Sequence, residues 1–459
     1  MAQPNILLIF ADQHRFDCTG ASGHPLLETP HLDRLAQEGA SFTRAFTPAP
    51  ICTPARCSLL TGLWPVQHGS LANEAGEAYR PMRAGLPTFS QTLKAHGYYL
   101  GYVGKWHVDE HRPPTDFGFD AYVPEAEYWA WRRSQGLPPR PRTNGYFGEV
   151  DPGITPEQSR LAWGADQLLA MLAQAAQRPQ PFFIRWDPAE PHLPNIVPEP
   201  YASRYPPESI PPWPNFTDPL AHKPYIQRQQ RQSWGIAGWT WEQWAPIVGR
   251  YLGEIALLDA QIGRVLAGLE ALGLAEKTVV VYSADHGDLC GAHGMIDKHY
   301  VMYDEVVRVP LLLRWPGVIP PGVRCDAFVS TLDLASTFCD LAGAPTPPAF
   351  MGHSLLPLLA GRQSGREEMY ASYHGNQFGL YSQRMVRTEQ WKYVWNPTAQ
   401  DELYDLEADP GEITNQAGDP AFAGVLAEMR RRLVRWLEQS GDPLLNQWTR
   451  RQLLEGCKL

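Results

Sequence analysis

The stretch Asn5-Ile6-Leu7-Leu8-Ile9-Phe10-Ala11-Asp12-Gln13-His14 decides the fold class. Residues 5–10 are nearly all apolar, the pattern of a parallel strand buried on both faces, and the run stops abruptly at Asp12-Gln13-His14. Open α/β sheets hold their ligands at the carboxyl ends of such strands. Asp12 and Gln13 offer two oxygen ligands for a hard divalent cation there, although a polar turn after a strand also accounts for the pair taken alone. A second run, residues 278–283, ends the same way in Ala284-Asp285-His286-Gly287-Asp288. A parallel sheet can bring two such ends together. Asp285 and His286 then complete a cation site with Asp12 and Gln13, and no zinc-type His/Cys spacing competes with that reading.

Between these strands stands Cys52-Thr53-Pro54-Ala55-Arg56, with Ser58-Leu59-Leu60-Thr61-Gly62 behind it. Pro54 suits the first position of a helix, Thr53 can cap it, and Gly62 is a fitting stop, which predicts a short helix over 54–61. Cys52 falls at its mouth, where unpaired N–H groups and the positive dipole end favour an anion. Arg56 lies one turn further in and can hold an oxygen on residue 52. An ordinary capped helix with a buried cysteine is the alternative.

The 459 residues suffice for one large domain and a smaller one, and 44% hydrophobic content supports a sizeable core. Asp plus Glu number 49 against 39 Lys plus Arg, a net charge of −10, which argues against a nucleic-acid partner. Seven cysteines (Cys18, Cys52, Cys57, Cys290, Cys325, Cys339, Cys457) include no CxxC pair, so mostly free thiols are expected. The apolar start lacks a basic leader and is too short to span a bilayer, so a cytoplasmic protein with no membrane partner is expected.

Polar side chains recur after strands. Residues 98–103 read as a strand ending at Lys105 and His107, suited to gripping a tetrahedral anion and moving a proton. Residues 182–186 read as a strand followed by His192, and the polar loop 291–299 contains Lys298, whose ammonium can reach both an anion and a leaving oxygen. Helices are expected at 29–36, 89–96, 156–176, 251–272 and 332–341, with a strand at 41–46. From about 108 to 245 the chain loosens into Pro, Gly and aromatic residues. Tyr128, Trp129, Trp131, Trp213, Trp234, Trp239, Trp241 and Trp244 there are candidate walls of a substrate pocket, or packing elements. The linker composition of 361–366 places a boundary between a catalytic domain at 1–362 and a small α+β subdomain at 363–459. Strands near 368–373, 383–388 and 391–396 and a helix near 420–439 make up the latter, and 444–459 either folds back or docks on a neighbouring subunit, leaving a homo-oligomer possible.

The pattern Cys-x-Pro-x-Arg followed by Ser-Leu-Leu-Thr-Gly resembles the signature of the type I sulfatases, in the alkaline phosphatase superfamily. The resemblance extends to residues 5–13, Thr29-Pro30-His31-Leu32-Asp33, Gly104-Lys105-Trp106-His107, Pro191-His192, Asp285-His286-Gly287, Lys298, Arg308-Val309-Pro310, and Glu402 to Leu406 with Asp409-Pro410 and Glu412. It implies an alkaline-phosphatase-like α/β/α sandwich with a mostly parallel sheet and a smaller C-terminal domain. It implies that a dedicated formylglycine-generating enzyme oxidises Cys52, and that Asp12, Gln13, Asp285, His286 and the modified Cys52 bind one divalent cation, usually calcium. Arg56 and Lys105 then hold the oxygens of residue 52, His192 and Lys298 serve the leaving alcohol, and His107 takes the proton that lets sulfate go. Gln13 departs from the pattern, since many sulfatases have Asp there, which makes manganese or magnesium more credible. Related phosphonate monoester hydrolases share the Asp-Gln pair but have Tyr and Thr where Lys105 and His107 stand. The expected activity is hydrolysis of a small-molecule or sugar sulfate ester. A phosphonate or phosphodiester hydrolase, or a silent binding protein on the same fold, is the alternative.

Overall fold

The computed structural model describes residues 3–73, 80–375, 377–456 and 458. Ten strands precede the second sheet: β1 (Asn5–Ala11), β2 (Ala40–Phe46), β3 (Tyr99–Gly104), β4 (Ala121–Pro124), β5 (Glu149–Val150), β6 (Phe182–Asp187), β7 (Ile196–Val197), β8 (Thr278–Ala284), β9 (Leu311–Arg314) and β10 (Val323–Ser330). Eight of them form one sheet in the order β10-β2-β9-β8-β1-β6-β3-β4, in which only β9 runs antiparallel to its neighbours. The apolar runs occupy the middle: β1 lies between β8 and β6, parallel to both, and every residue from Ile6 to Ala11 is buried. Central strands buried on both faces need this composition.

The sheet is covered on both faces. Helices Pro30–Glu38, Arg160–Ala175 and Trp241–Ala271 pack together as one layer, and Cys52–Thr61, Phe89–Ala95 and Leu332–Leu341 as the other. The helix expected at 251–272 begins ten residues earlier, at Trp241, and runs for 31 residues through Pro246. Thr240 with Gln243 forms a capping box at the true start, and Pro246, the sixth residue, is carried inside the helix at the loss of one backbone hydrogen bond. Trp244 consequently belongs to the core, not to a wall. It is fully buried with Ile247, Leu193 and Ile296, and Trp234, Trp239 and Trp241 pack around them.

The second sheet consists of β11 (Met369–Gly375), β12 (Tyr381–Arg387), β13 (Trp391–Trp395) and β14 (Glu402–Asp405), all antiparallel, with helix Ala423–Ser440 on one face. β14 and the last helix, Gln447–Glu455, are absent from the sequence reading. Buried charge ties β13 to the segment between β8 and β9 and to the loop after β14: Lys392 Nζ lies 2.6 Å from Asp304 Oδ1 and 2.7 Å from Glu412 Oε1. None of the described cysteines is in a disulfide; Cys457 lies outside the described residues. No described helix is long and apolar enough to cross a membrane.

Candidate active site

The helix carrying the cysteine starts at Cys52 itself, with Ile51 as N-cap and no side-chain cap. Thr53 is therefore inside the helix, its N–H donating to Asn73 Oδ1 at 3.1 Å, and Gly62 ends the helix in the left-handed conformation as expected. All ten helix residues are buried, because the helix runs into the protein from the carboxyl edge of the sheet. Cys52 Sγ lies 3.2 Å from His286 Nε2 and 3.8 Å from Asp12 Oδ1.

Asp12 follows β1, Asp285 and His286 follow β8, and the parallel register of the two strands aligns Ala11 with Ala284. One ligand atom each from Asp12, Cys52, Asp285 and His286 falls within 4.8 Å of the others, all buried. Burial and the charge of Asp12 raise the Asp285 carboxyl. His286 is pushed up to about 9 against its burial, by Asp285 and Cys52. The cluster thus draws positive charge, and a divalent cation fits its donors.

Arg56 is wholly buried beneath this cluster, and its partners are three carboxylates. Nη2 is 2.9 Å from Asp12 Oδ2 and 2.9 Å from Asp285 Oδ2, and Nη1 pairs with Asp187. The guanidinium fork thus binds the carboxylates that frame the site. Asp187, at the end of β6, escaped that reading although the strand-end rule that found Asp12 and Asp285 applies to it equally. Arg185 also binds it, with Nε 2.5 Å from Oδ1.

Lys105 and His107 stand beyond β3. Gly104 at φ +106 turns the chain there, and a Cβ on it would meet Asp187 O at 2.2 Å. Lys105 Nζ lies 2.6 Å from Asp12 Oδ2. His107 is hydrogen-bonded to Cys52; burial and Lys105 hold its imidazole below the ordinary range, so it is neutral near pH 7. Although burial opposes it, the charges of Lys298, Lys105 and His286 hold the Cys52 thiol well below its usual range.

On the opposite side, Lys298 Nζ donates to Gln13 Oε1 at 2.9 Å and lies 2.7 Å from His192 Nε2. His192 Nδ1 sits 2.7 Å from Leu193 O, where it must be the protonated nitrogen, leaving Nε2 to accept from Lys298. Burial works against the ammonium, but Asp297, 3.3 Å away, with Cys52 and Asp12, keeps it firmly charged. Gln13 Oε1 therefore faces Lys298, and its Nε2 donates to Asp288 and, at 3.0 Å, to Asp297. Neither acid was singled out from sequence. Gln13, His107 and Asp297 all have positive φ (67°, 47° and 68°), strain that the surrounding packing must hold.

All ten residues expected at the site thus converge at the carboxyl ends of β1, β3, β6 and β8. Residues 4–344 match the model of the sulfatase family, and residues 291–439 match that of the N-sulphoglucosamine sulphohydrolase C-terminal region. The chain belongs to the sulfatase family. Within it, the chain is 30% identical to an ulvan-active sulfatase of Formosa agariphila over 96% of this chain and 82% of that protein. It is also 30% identical to human arylsulfatase A, covering 92% of this chain and 84% of the other. Among solved structures, the phosphonate monoester hydrolase of Agrobacterium radiobacter superposes with a TM-score of 0.83 at 27% identity, covering 95% and 96% of the two chains. The fold of this sulfatase-family member is that of the alkaline-phosphatase-like enzymes, with its separate antiparallel sheet.

Proposed function

We propose that the protein hydrolyses a sulfate ester to an alcohol and inorganic sulfate, using a formylglycine made from Cys52 by a formylglycine-generating enzyme. The observation that carries this reading is the position of Cys52. It begins a buried helix, its sulfur touches the acid and histidine of a cation-fitting cluster, and Lys105, His107 and Lys298 surround it. Once converted, residue 52 supplies two hydroxyls on one carbon, one to take the sulfuryl group and one whose deprotonation releases it. Asp12, Asp285 and His286 would hold a divalent cation, calcium first and manganese or magnesium next, which lowers the cost of a charged oxygen at residue 52.

The protein's own groups divide the remaining work. Lys105 places a positive charge beside Asp12 on the side of the anion. Lys298, kept charged by Asp297, hydrogen-bonds His192 Nε2, so a proton for the departing alcohol is held at that pair. Neutral His107, bonded to residue 52, can accept the proton of the second hydroxyl. The likeness to a phosphonate monoester hydrolase and the shared Asp-Gln pair favour a second reading, hydrolysis of phosphonate monoesters or phosphodiesters.

The test is the mass of tryptic peptide 45–56 together with turnover by the same sample. Conversion of Cys52 lowers the mass by about 18 Da. A converted sample should cleave an aryl sulfate faster than an aryl phosphonate monoester; the reverse order selects the second reading. A peptide that stays unconverted on co-expression with a formylglycine-generating enzyme refutes both.

A further inference from the structure

Lys298 sits in a strained turn. Asp297, His299 and Tyr300 lie in the left-handed region at φ 68°, 46° and 61°, so the residues on both sides of the ammonium keep their conformation only where the surroundings hold them. Two different anchors do so. On one side, Asp297 donates its N–H to Asp288 Oδ1 at 3.2 Å, and its carbonyl accepts the N–H of Leu289 at 2.9 Å. On the other side the hold comes from the second sheet. The hydroxyl of the fully buried Tyr300 donates to Gly379 O at 3.1 Å and accepts the N–H of Phe378 at 2.7 Å. His299 Nδ1 is 2.8 Å from the hydroxyl of Tyr373, on β11.

That contact continues to the ammonium itself. His299 Nε2 lies 3.3 Å from Asp297 Oδ2; a carboxylate only accepts, so Nε2 carries the proton, and in the neutral ring Nδ1 accepts from the tyrosine hydroxyl. Burial keeps Tyr373 a phenol, able to donate. Gly375, two residues along β11, leaves the hydroxyl its room, since a Cβ there would lie 2.1 Å from it. Asp297 Oδ1 is in turn 3.3 Å from Lys298 Nζ, and although burial opposes its charge, Lys298 and His299 hold the carboxyl well below the usual range. β11 is an outer strand of its sheet, and the neighbouring Ser372 donates its N–H to Pro48 O at 2.9 Å, in the loop that leads to Cys52. One strand thus touches the loops of both residue 52 and Lys298. We propose that Tyr373 and His299 are positioning residues for Lys298: the hydroxyl orients the imidazole, the imidazole fixes Asp297, and Asp297 holds the ammonium where it meets His192. The proposal rests on the hydrolase reading above for the step that Lys298 serves.

Packing alone does not call for these polar groups. The Tyr373 ring is buried in a cluster with Ile51, Met302 and Met385, where a phenylalanine fills the same space. What the hydroxyl and the imidazole add is direction, which an ammonium on a flexible four-carbon stem lacks. Nζ faces Gln13 Oε1 at 2.9 Å, His192 Nε2 at 2.7 Å and the charged Asp297. Without the tyrosine hydroxyl, His299 is free to turn, Asp297 loses its second tie, and Nζ loosens from His192, while every group facing the ester stays in the chain. The loss therefore falls on protonation of the leaving alcohol, and it grows as that alcohol becomes less acidic.

The test uses the full chain with Cys52 converted and two measurements. The first compares kcat and KM for phenyl sulfate and 4-nitrophenyl sulfate. Tyr373→Phe, which keeps the packing, should lower kcat about tenfold on phenyl sulfate and at most about twofold on the nitrophenyl ester, with both KM values nearly unchanged. His299→Leu should do the same, and His299→Gln, whose amide nitrogen can donate to Asp297, should recover most of the loss. The second measurement needs no turnover. Lys298, with a side chain only 2% exposed, is acetylated with acetic anhydride and followed by peptide mass beside the exposed Lys277. Tyr373→Phe and His299→Leu should raise the Lys298 rate at least about threefold and leave Lys277 unchanged. Equal losses on both esters, or a Lys298 rate that neither variant raises, overturns the proposal. A raised Lys298 rate in the variants, with neither ester hydrolysed by converted wild type, upholds the positioning network and refutes the hydrolase reading instead.

Discussion

Replacing Arg56 by Met removes a positive charge that three carboxylates share, at nearly constant volume. Their fates differ. Asp187 keeps Arg185, whose Nε and Nη2 lie 2.5 and 2.6 Å from its oxygens. Asp12 keeps Lys105 at 2.6 Å. Asp285 loses its guanidinium and retains, on Oδ1, the N–H groups of Gln13 at 3.0 Å and His286 at 2.9 Å. Breaking a buried pair on one side costs about 3–5 kcal/mol, and Arg56, Asp12 and Asp285 have no exposed surface to screen the loss. Arg56→Met should therefore be about 3–5 kcal/mol less stable than wild type in urea with a chelator present. Added calcium should recover more in the variant than in wild type, because the cation takes over the charge of Asp12 and Asp285; a ligand at 100 times its Kd contributes about 2.7 kcal/mol. Arg56→Lys should recover only part, since one ammonium cannot span three carboxylates. A variant within about 1 kcal/mol of wild type in chelator refutes the claim that Arg56 balances the charge of this cluster.

Cys52→Ser should at best accumulate a sulfated enzyme, because one hydroxyl cannot release what it has accepted; intact mass after incubation with an aryl sulfate reads the adduct, and sustained turnover contradicts the mechanism. Lys298→Ala and His192→Asn should each lower kcat about 10²–10⁴-fold for esters of poorly acidic alcohols and much less for nitrophenols. The dependence of rate on leaving-group acidity measures this, and an unchanged slope excludes both from that role. Glu254, buried against Glu190, is pushed up to about 8 from 4.5. The folded protein then holds a proton that the unfolded chain releases near pH 4.5, so stability falls as pH rises from about 4.5 to about 8, by up to about 5 kcal/mol. Glu254→Gln should flatten the melting temperature over that window while keeping an oxygen for Asn195; an unaltered slope counts against the assignment. Lys392→Met leaves Asp304 and Glu412 facing each other and should cost about 3–5 kcal/mol, read as a lowered urea midpoint.

The parallel sheet was legible because its central strands have a composition that few other elements tolerate, and because three of them end in Asp12, Lys105 and Asp285. The single rule that polar groups at the ends of buried parallel strands face a common crevice located most of the site before any contact was known. What it could not supply is the direction of each side chain. Arg56 could be placed one turn from residue 52, but that the carboxylates at the ends of three strands share its guanidinium could not be read from the sequence. Asp187 was invisible as a partner because an aspartate after a strand has the same appearance whether it faces solvent or a buried arginine.

Gln13 shows how far such competition reaches. Its sequence position, next to Asp12, says ligand. In the structure its amide is shared between two acids and Lys298, with the oxygen on the ammonium and the nitrogen on Asp288 and Asp297. An aspartate at 13 could not donate to those acids, and three carboxylates would then surround one lysine. The glutamine is thus consistent with its own neighbourhood: a neutral donor and acceptor where the loop 288–297 supplies two negative charges that a cation-binding aspartate would repel. The departure from the family pattern at 13 and the two acids at 288 and 297 therefore belong to one arrangement, and they should be exchanged together. Gln13→Asp alone should weaken the hold on Lys298, whereas Gln13→Asp combined with Asp288→Asn restores a donor opposite the new carboxylate. The leaving-group dependence of kcat distinguishes the two variants, and equal behaviour of single and double variants shows that Asp288 has no part in placing residue 13.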